Sequence, residues 1–584
     1  MKIIGFSGLH NSILFKKKEW PGLNEREYRI VQGLDSAAAL IIDGEIIAAA
    51  EEERFTRKKH TGDFPVNAIQ YCLSAGKVSV GEIDIIVHSF DYEPYRQIFS
   101  FNPASLKLFE EVYSRETAVN NFRRYFPGFP PEKIHHLQHH LSHASSAYFT
   151  SGWDECLVLV IDGAGELNSV SVYHSKGGKL TLLSEISAID SIGIFYSLIT
   201  LHLGFDFNSD EYMIMGLAPY GDPKVYRKFF EDSVRLLKDG QVSIPCLQIN
   251  KTMKDRENYA QTQRYFSESL IPKREPHDEI RKEHQNVAAA LQECLERTLL
   301  HICSYFGNKT GLRRLVMAGG VALNCTANGV ILKSGLFDSV YVMPVAGDDG
   351  AALGAALYKA AEYGEVENRR LAVPFFGPAY NADRIRKALH EHAGRLEITE
   401  FSTIEETCSH AADLITKGYV LGWYRGRKEY GPRALGNRSI IADPSGKEMR
   451  DKINAMVKKR EAFRPFAPAV SIEQASHWFE IPEMTEFPYM VMIVDVRKEY
   501  RESLPAITHI NGTARVQTVS GKDNPVFHKL LQAVGKKTGR EMLLNTSFNV
   551  KGDPIVNTPD EALGTFLRTG IDYLYMENYF IKKK

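Results

Sequence analysis

Ala37-Ala38-Ala39-Leu40-Ile41-Ile42-Asp43-Gly44-Glu45-Ile46-Ile47-Ala48-Ala49-Ala50-Glu51 reads as two strands joined by a two-residue turn. Asp-Gly supplies the positive φ angles that tight hairpins need. A short apolar strand, Lys2-Ile3-Ile4-Gly5-Phe6-Ser7, precedes it. The same succession returns later. Cys156-Leu157-Val158-Leu159-Val160-Ile161 is an apolar strand, and residues 167–174 and 179–186 flank Gly177-Gly178 as a second hairpin. Strand, loop, hairpin thus occurs twice, which predicts two related halves facing each other.

Two strand–glycine–helix units follow. Residues 314–318 lead into Gly319-Gly320 and an apolar stretch from Val321. Residues 339–344 lead into Gly347-Asp348-Asp349-Gly350 and an Ala-rich stretch over 351–362. Residues 286–306 carry the 3.6-residue apolar period of a helix. Alternating strands and helices predict an α/β fold. Gly364, a charged run over 365–370, Pro374, Gly377 and Pro378 predict a break. The expected division is 1–370 as two duplicated halves, 371–399 as linker, and 400–584 as a further α/β domain.

The 584 residues are 44% hydrophobic and 24% charged, an ordinary globular composition. Lys+Arg is 71 against Asp+Glu 72. No global basic field exists to hold nucleic acid. No apolar run reaches the ~18 residues of a membrane span, and the first residues lack a signal peptide's apolar stretch. A soluble, cytoplasmic protein is the expectation. Seven cysteines without a C-x-x-C pair argue against a disulfide framework or zinc finger.

Five histidines fall within residues 135–143: His135, His136, His139, His140 and His143. On a helix, i and i+4 share a face, so His139 and His143 suit one metal ion. Asp162, at a strand end, and Asp348 or Asp349 are the carboxylates that would complete the site. A histidine cluster without metal is the alternative. Asp162-Gly163-Ala164-Gly165, Gly319-Gly320 and Gly347 sit where glycine lets backbone amides approach phosphate. None matches a P-loop or dinucleotide fingerprint. Residues 421–470 hold twelve Lys/Arg and five Asp/Glu. Arg425, Arg427, Arg433, Arg438, Arg460 and Arg464 lie among glycines and prolines, as a pocket for a compact anion would need. Asn545-Thr546-Ser547-Phe548-Asn549 resembles a strand end lining a pocket.

These motifs together resemble the O-carbamoyltransferases of the nodulation-protein-U/cephalosporin hydroxymethyl carbamoyltransferase family. The resemblance rests on Glu51-Glu52-Glu53-Arg54-Phe55-Thr56-Arg57-Lys58-Lys59-His60, His139-His140-Leu141-Ser142-His143-Ala144 and Met215-Gly216-Leu217-Ala218-Pro219-Tyr220-Gly221. It extends through Gly319-Gly320-Val321-Ala322-Leu323-Asn324, Tyr430-Gly431-Pro432-Arg433-Ala434-Leu435-Gly436-Asn437-Arg438-Ser439, Arg460-Glu461-Ala462-Phe463-Arg464-Pro465-Phe466-Ala467-Pro468 and Asn545-Thr546-Ser547-Phe548-Asn549.

The resemblance implies an actin-like/sugar-kinase ATPase fold of the tRNA-threonylcarbamoyl-transferase branch, followed by a threonylcarbamoyl-adenylate-synthase-like domain. It implies that carbamoyl phosphate and ATP form carbamoyl-adenylate in the second part. The first part then carbamoylates a hydroxyl of a small molecule, as in antibiotic or other secondary metabolism. Arg433, Arg438, Arg460 and Arg464 would neutralise phosphates, with Lys458 as a point charge. Arg515 and Asn545 would orient the carbamoyl group. His139, His143, Asp162 and Asp348 would hold a divalent metal, Fe(II) being the usual suggestion and Mg(II) the alternative. Gly163, Gly319, Gly320, Asn324 and Gly347 would line the nucleotide. No nucleic-acid or membrane partner is expected, and a homodimer is.

Two departures fall on the acceptor pocket. The family's His-Asp-Ser-Ala-Ala reads Leu34-Asp35-Ser36-Ala37-Ala38 here, and residues 10–34 look inserted. Either His10 replaces the missing imidazole or Asp35 alone orients the hydroxyl. The family's Glu-Tyr-Lys reads Glu211-Tyr212-Met213. The rival readings are a non-enzymatic ATP-binding protein of the actin-like class and a threonylcarbamoyl-type tRNA-modifying enzyme.

Overall fold

The computed structural model describes residues 1–458, 461, 463, 464 and 466–584, with Lys458 described by its backbone alone. The chain forms two compact units, one of residues 1–53 and 60–371 and one of residues 54–59 and 372–584.

Unit 1 holds two five-stranded sheets. Its first sheet joins β1 (Lys2–Phe6), β2 (Ala37–Ile42), β3 (Glu45–Glu51), β4 (Ile85–His88) and β5 (Ile134–His136) in the order β3-β2-β1-β4-β5. Its second joins β6 (Glu155–Gly165), β7 (Asn168–Lys176) and β8 (Lys179–Ser187) to β11 (Arg314–Ala318) and β12 (Ser339–Val342), in the order β12-β11-β6-β7-β8. The ribbon β9 (Arg235–Leu236) and β10 (Val242–Ser243) lies apart. In each sheet the hairpin is antiparallel and the other two strands run parallel to the first. Two sheets of identical order and sense are the actin-like/sugar-kinase arrangement. Central strands carry long apolar runs, such as 156–161 in β6, because both faces are covered.

The covering helices are His139–Ser151 and Asp348–Glu362. The second packs on β1 and β2, the first on β6 and β11, and the two pack on each other. Small residues make this possible. A Cβ on Gly354 would stand 1.8 Å from the carbonyl oxygen of Ser142, and one on Gly5 would stand 2.0 Å from that of Ala352. The long helix Lys282–Thr310 contains the predicted stretch over 286–306.

Unit 2 is built on an eight-stranded mixed sheet, flanked by helices. Its strands are β13 (Leu396–Glu400), β14 (Leu421–Tyr424), β15 (Arg438–Ala442), β16 (Ala467–Ser471), β19 (Gln517–Val519), β20 (Met542–Ser547), β21 (Tyr573–Met576) and β22 (Tyr579–Lys583). A separate ribbon pairs β17 (Ile493–Asp495) with β18 (Thr513–Arg515). The segment expected to be linker, 371–399, is instead structured. It carries the helix Ala382–Glu391, capped by Asn381, and most of β13, which pairs with β22. Ile385, Ala388 and Leu389 are the helix's buried stripe, and its many charges hide that stripe from a composition reading.

No helix among the described residues is long and apolar enough to cross a membrane.

Gly354→Ala tests the close packing of the two helices. Helix propensity favours alanine by about 1 kcal/mol, but overpacking costs about 1–3 kcal/mol and here meets backbone. The variant should denature several degrees below wild type in a thermal melt. An equal or higher midpoint would refute the contact.

Candidate functional site

The carboxyl ends of β4 and β5 in the first sheet, and of β6, β11 and β12 in the second, are where open α/β sheets bind ligands. His139 opens the helix that follows β5, and His143 lies one turn on. Asp162 lies in β6 just past Ile161, where regular pairing with β7 is interrupted. Asp348 opens the helix that follows β12.

These four side chains converge. His139 Nε2 is 3.0 Å from His143 Nε2, 3.2 Å from Asp348 Oδ1 and 3.5 Å from Asp162 Oδ2. His143 Nε2 is 3.7 Å from Asp348 Oδ1. Ligands about 2.0–2.2 Å from one ion stand ~3.0–3.5 Å from each other, so the set fits a single divalent cation. The surroundings fit too. His139 Nδ1 faces the Ser89 carbonyl oxygen at 3.2 Å, which leaves Nε2 toward the cluster. Its ring stacks on Phe90 at 4.0 Å, and its backbone N–H donates to Glu166. Burial pushes the Glu166 carboxyl up to about 7.

The electrostatics call for positive charge. Burial alone would raise Asp162, yet the His139 hydrogen bond and the His143 charge hold it well below the carboxylate range. Asp348 is held down in the same way, against its burial, by His139. Burial works against a proton on His139, but Asp348 and Asp162 outweigh it and raise that imidazole. Asp349, the alternative ligand, lies outside the tetrad, and its Oδ1 accepts from the Gly350 N–H at 3.1 Å.

The glycines surround this cluster. Gly319 has φ +90°, and a Cβ there would stand 2.2 Å from the Ile161 carbonyl oxygen. Gly320 N–H donates to Asp162 Oδ1 at 3.1 Å. Gly163 has open space where a Cβ would project, and Gly347 caps the helix of Asp348. Asn324 has a structural duty. Its amide exchanges hydrogen bonds with Gln292 and accepts from the Ala327 N–H, which starts the helix Cys325–Lys333.

Asp35 and His60 form a second grouping, missed from the sequence. Asp35 Oδ1 lies 2.7 Å from His60 Nδ1, and Glu53 Oε2 accepts from the His60 N–H at 2.8 Å. Both residues hold left-handed backbone, φ +58° and +52°, an uncommon state for non-glycine residues. The imidazole beside Asp35 is therefore His60. His10 is turned elsewhere, its Nδ1 accepting from the Phe64 N–H at 3.2 Å. The signal was present, since His60 ends the quoted motif, but spacing alone does not pair it with Asp35.

In unit 2 the loop 429–438 is held from below. Glu429 Oε1 accepts from the N–H groups of Leu435, Asn437 and Arg438 at 2.8, 2.8 and 3.2 Å. Arg438 corrects an expectation. It is 0% exposed and donates to the carbonyl oxygens of Arg425, Asn437, Pro378 and Gly426. It stacks over Tyr424 at 3.7 Å. Both Nη groups are thus committed to holding the loop, while Nε is buried without a partner among the described residues.

Asn545 is buried in β20. Its Nδ2 donates to Gln517 Oε1 and to the Ala434 carbonyl oxygen, while its Oδ1 is buried without a partner among the described residues. Gln517 in turn donates to the Leu435 carbonyl oxygen at 2.9 Å. Arg433 on this loop, Arg464 before β16 and Arg515 before β19 are half-buried. Register sets β16, which follows Arg464, beside β20 and β19, with Ala467 opposite Asn545 and Ala469 opposite Gln517, while Arg515 ends β18 in the separate ribbon. Arg460 and the side chain of Lys458 lie outside the described residues.

A family model described as carbamoyltransferase N-terminus matches residues 31–357, and one described as carbamoyltransferase C-terminus matches residues 412–583. The chain belongs to the carbamoyltransferase family and is a transferase. It is 40% identical over 559 residues to nodulation protein NolNO of Sinorhizobium fredii, covering 94% of this chain and 79% of that one. It is 34% identical over 244 residues to a 3'-hydroxymethylcephem-O-carbamoyltransferase of Streptomyces clavuligerus, 42% of this chain and 44% of that one. Among solved structures, T. kodakarensis HypF matches at a TM-score of 0.29 and 12% identity, covering 63% of this chain and 48% of that one.

His143→Ala and Asp348→Asn should each strip the cluster of metal, read by elemental analysis of protein purified without chelator. Wild type should carry ~one ion per chain. Occupancy should fall as pH drops through the imidazole range, because the ligands must be deprotonated. Full occupancy in a His143→Ala/Asp348→Asn double variant would refute the site.

Proposed function

We propose that this chain is an ATP-dependent O-carbamoyltransferase acting on a hydroxyl of a small molecule. The observation that carries the reading is the four-donor cluster of His139, His143, Asp162 and Asp348, in a chain of the carbamoyltransferase family. In the first step carbamoyl phosphate, ATP and water give carbamoyl-adenylate, phosphate and pyrophosphate. In the second, the acceptor oxygen attacks the carbamoyl carbon. The C–O bond to AMP breaks, and a proton leaves the hydroxyl.

Activation falls to unit 2. Arg433 and Arg464 stabilise charge that builds on the phosphates. Asn545 has an unpartnered carbonyl oxygen that suits the carbamoyl NH₂, with Arg515, at the end of β18, as the second orienting group. Transfer falls to unit 1. His139, His143, Asp162 and Asp348 would hold a divalent ion, which would supply positive charge for the anionic groups of the substrates, and the mixed donor set suits iron or a similar first-row metal. Gly319, Gly320, Gly163 and Gly347 leave backbone room for a nucleotide beside it. Asp35 orients His60, whose Nε2, buried without a partner among the described residues, takes the acceptor's proton. A mixed carbamoyl anhydride hydrolyses readily, so water exclusion is part of the design.

The test is pyrophosphate release from ATP and carbamoyl phosphate without acceptor, with mass spectrometry for carbamoyl-adenylate. Arg433→Ala and Arg464→Ala should abolish the adenylate. His139→Ala should leave it intact and stop transfer to a hydroxyl, assayed first with 3'-hydroxymethylcephem. If the arginine and histidine variants fail at the same step, the two-site reading is wrong. Arg438→Met should show its defect in thermal stability, a scaffold's signature, even where the folded fraction remains active.

A further inference from the structure

The six residues 54–59 belong to unit 2, although Glu53 before them and His60 after them belong to unit 1. They therefore complete a unit whose other residues begin more than three hundred positions later in the chain. Within it they have defined attachments. Arg57 donates to the carbonyl oxygens of Pro554 and Ile555 at 2.7 and 2.9 Å and pairs with Glu561 at 3.0 Å. Arg54 is buried at 4% exposure and donates through Nη2 to the Gly431 carbonyl oxygen at 2.8 Å.

Gly431 is the point where the arginine loop turns. Its φ of +111° suits glycine, and Pro432 stiffens the next position. Two residues on stands Arg433. The far side of the loop is secured internally by Glu429 and Arg438. The near side, Tyr430-Gly431, is secured by the Tyr430 N–H to the Pro374 carbonyl oxygen and by Arg54. Arg54 thus sets the carbonyl that fixes where Arg433 leaves the backbone.

We infer that Arg54 is a positioning residue for carbamoyl activation, acting through the Gly431 loop on Arg433. It does not touch substrate in this assignment. Misplacing a catalytic group by about 1 Å costs about 100-fold in rate, so removing the tether should depress turnover while leaving ground-state binding nearly intact. This rests on the reading that unit 2 forms carbamoyl-adenylate.

The experiment is steady-state pyrophosphate release by the full chain with ATP and carbamoyl phosphate, acceptor omitted. Arg54→Met keeps the buried aliphatic stem and removes the donor. Its kcat should fall about 100-fold with both KM values within about threefold of wild type. Arg54→Lys, which restores one cationic donor, should recover to within about tenfold of wild type. Wild-type kcat in Arg54→Met overturns the inference, as does a raised KM at constant kcat, which would mark a substrate contact. If Arg54→Met does not fold, Arg54→Lys decides. A kcat reduced about three- to tenfold at unchanged KM supports positioning, and any other pattern overturns it. A wild type that releases no pyrophosphate would instead sink the activation reading itself.

Discussion

The candidate metal centre depends on one close approach. Helices 139–151 and 348–362 meet backbone to backbone at Ser142 and Gly354, and no side chain fits between them. That contact brings the first turn of one helix beside the first turn of the other. His139 and His143 come from the first helix and Asp348 from the second, so the cluster needs both. Asp162 joins because β6 runs beneath the same helix. Strands β6, β11 and β12, ending together at one edge of the second sheet, supply the glycines. A duplicated fold thus turns a packing requirement into a chemical site.

The second unit solves a different problem. A loop rich in arginine must be held against the repulsion of its own charges. Glu429 places one buried carboxylate under three backbone N–H groups of the loop. Arg438 spends its guanidinium on four carbonyl oxygens and the face of Tyr424. The backbone satisfies most of these two side chains, while Glu429 Oε2 and Arg438 Nε are buried without a hydrogen-bond partner among the described residues. Arginine identity alone does not separate scaffold from ligand contact, and burial and partner atoms do.

The motif 51–60 shows how closely structure and chemistry are interleaved. Glu52 accepts from Asn67 and Ala68 at the start of the helix Val66–Gly76. Glu53 holds the backbone of His60, and His60 faces Asp35. Arg54 and Arg57 belong to the other unit. Ten residues therefore serve both halves of the proposed reaction, activation and transfer.

Much of this was legible in the sequence, because it is local. Apolar runs on either side of the Asp-Gly turn mark the first hairpin, and its recurrence marks the duplication. His139 and His143 share a face through helical periodicity alone. What the tertiary structure decided was every pairing between distant segments. Asp348 and Asp349 are equivalent by sequence, yet successive helical residues point about 100° apart, and only Asp348 turns toward the histidines. His60 displaced His10 as the partner of Asp35, because a backbone fold of two left-handed residues, invisible to spacing, joins them. The charged stretch 382–391 is a helix because three buried residues find a core across the chain. Arg438 became a scaffold for the same reason. Local patterns depend on neighbours a few residues away, whereas ligand geometry and burial depend on contacts that only the folded chain creates.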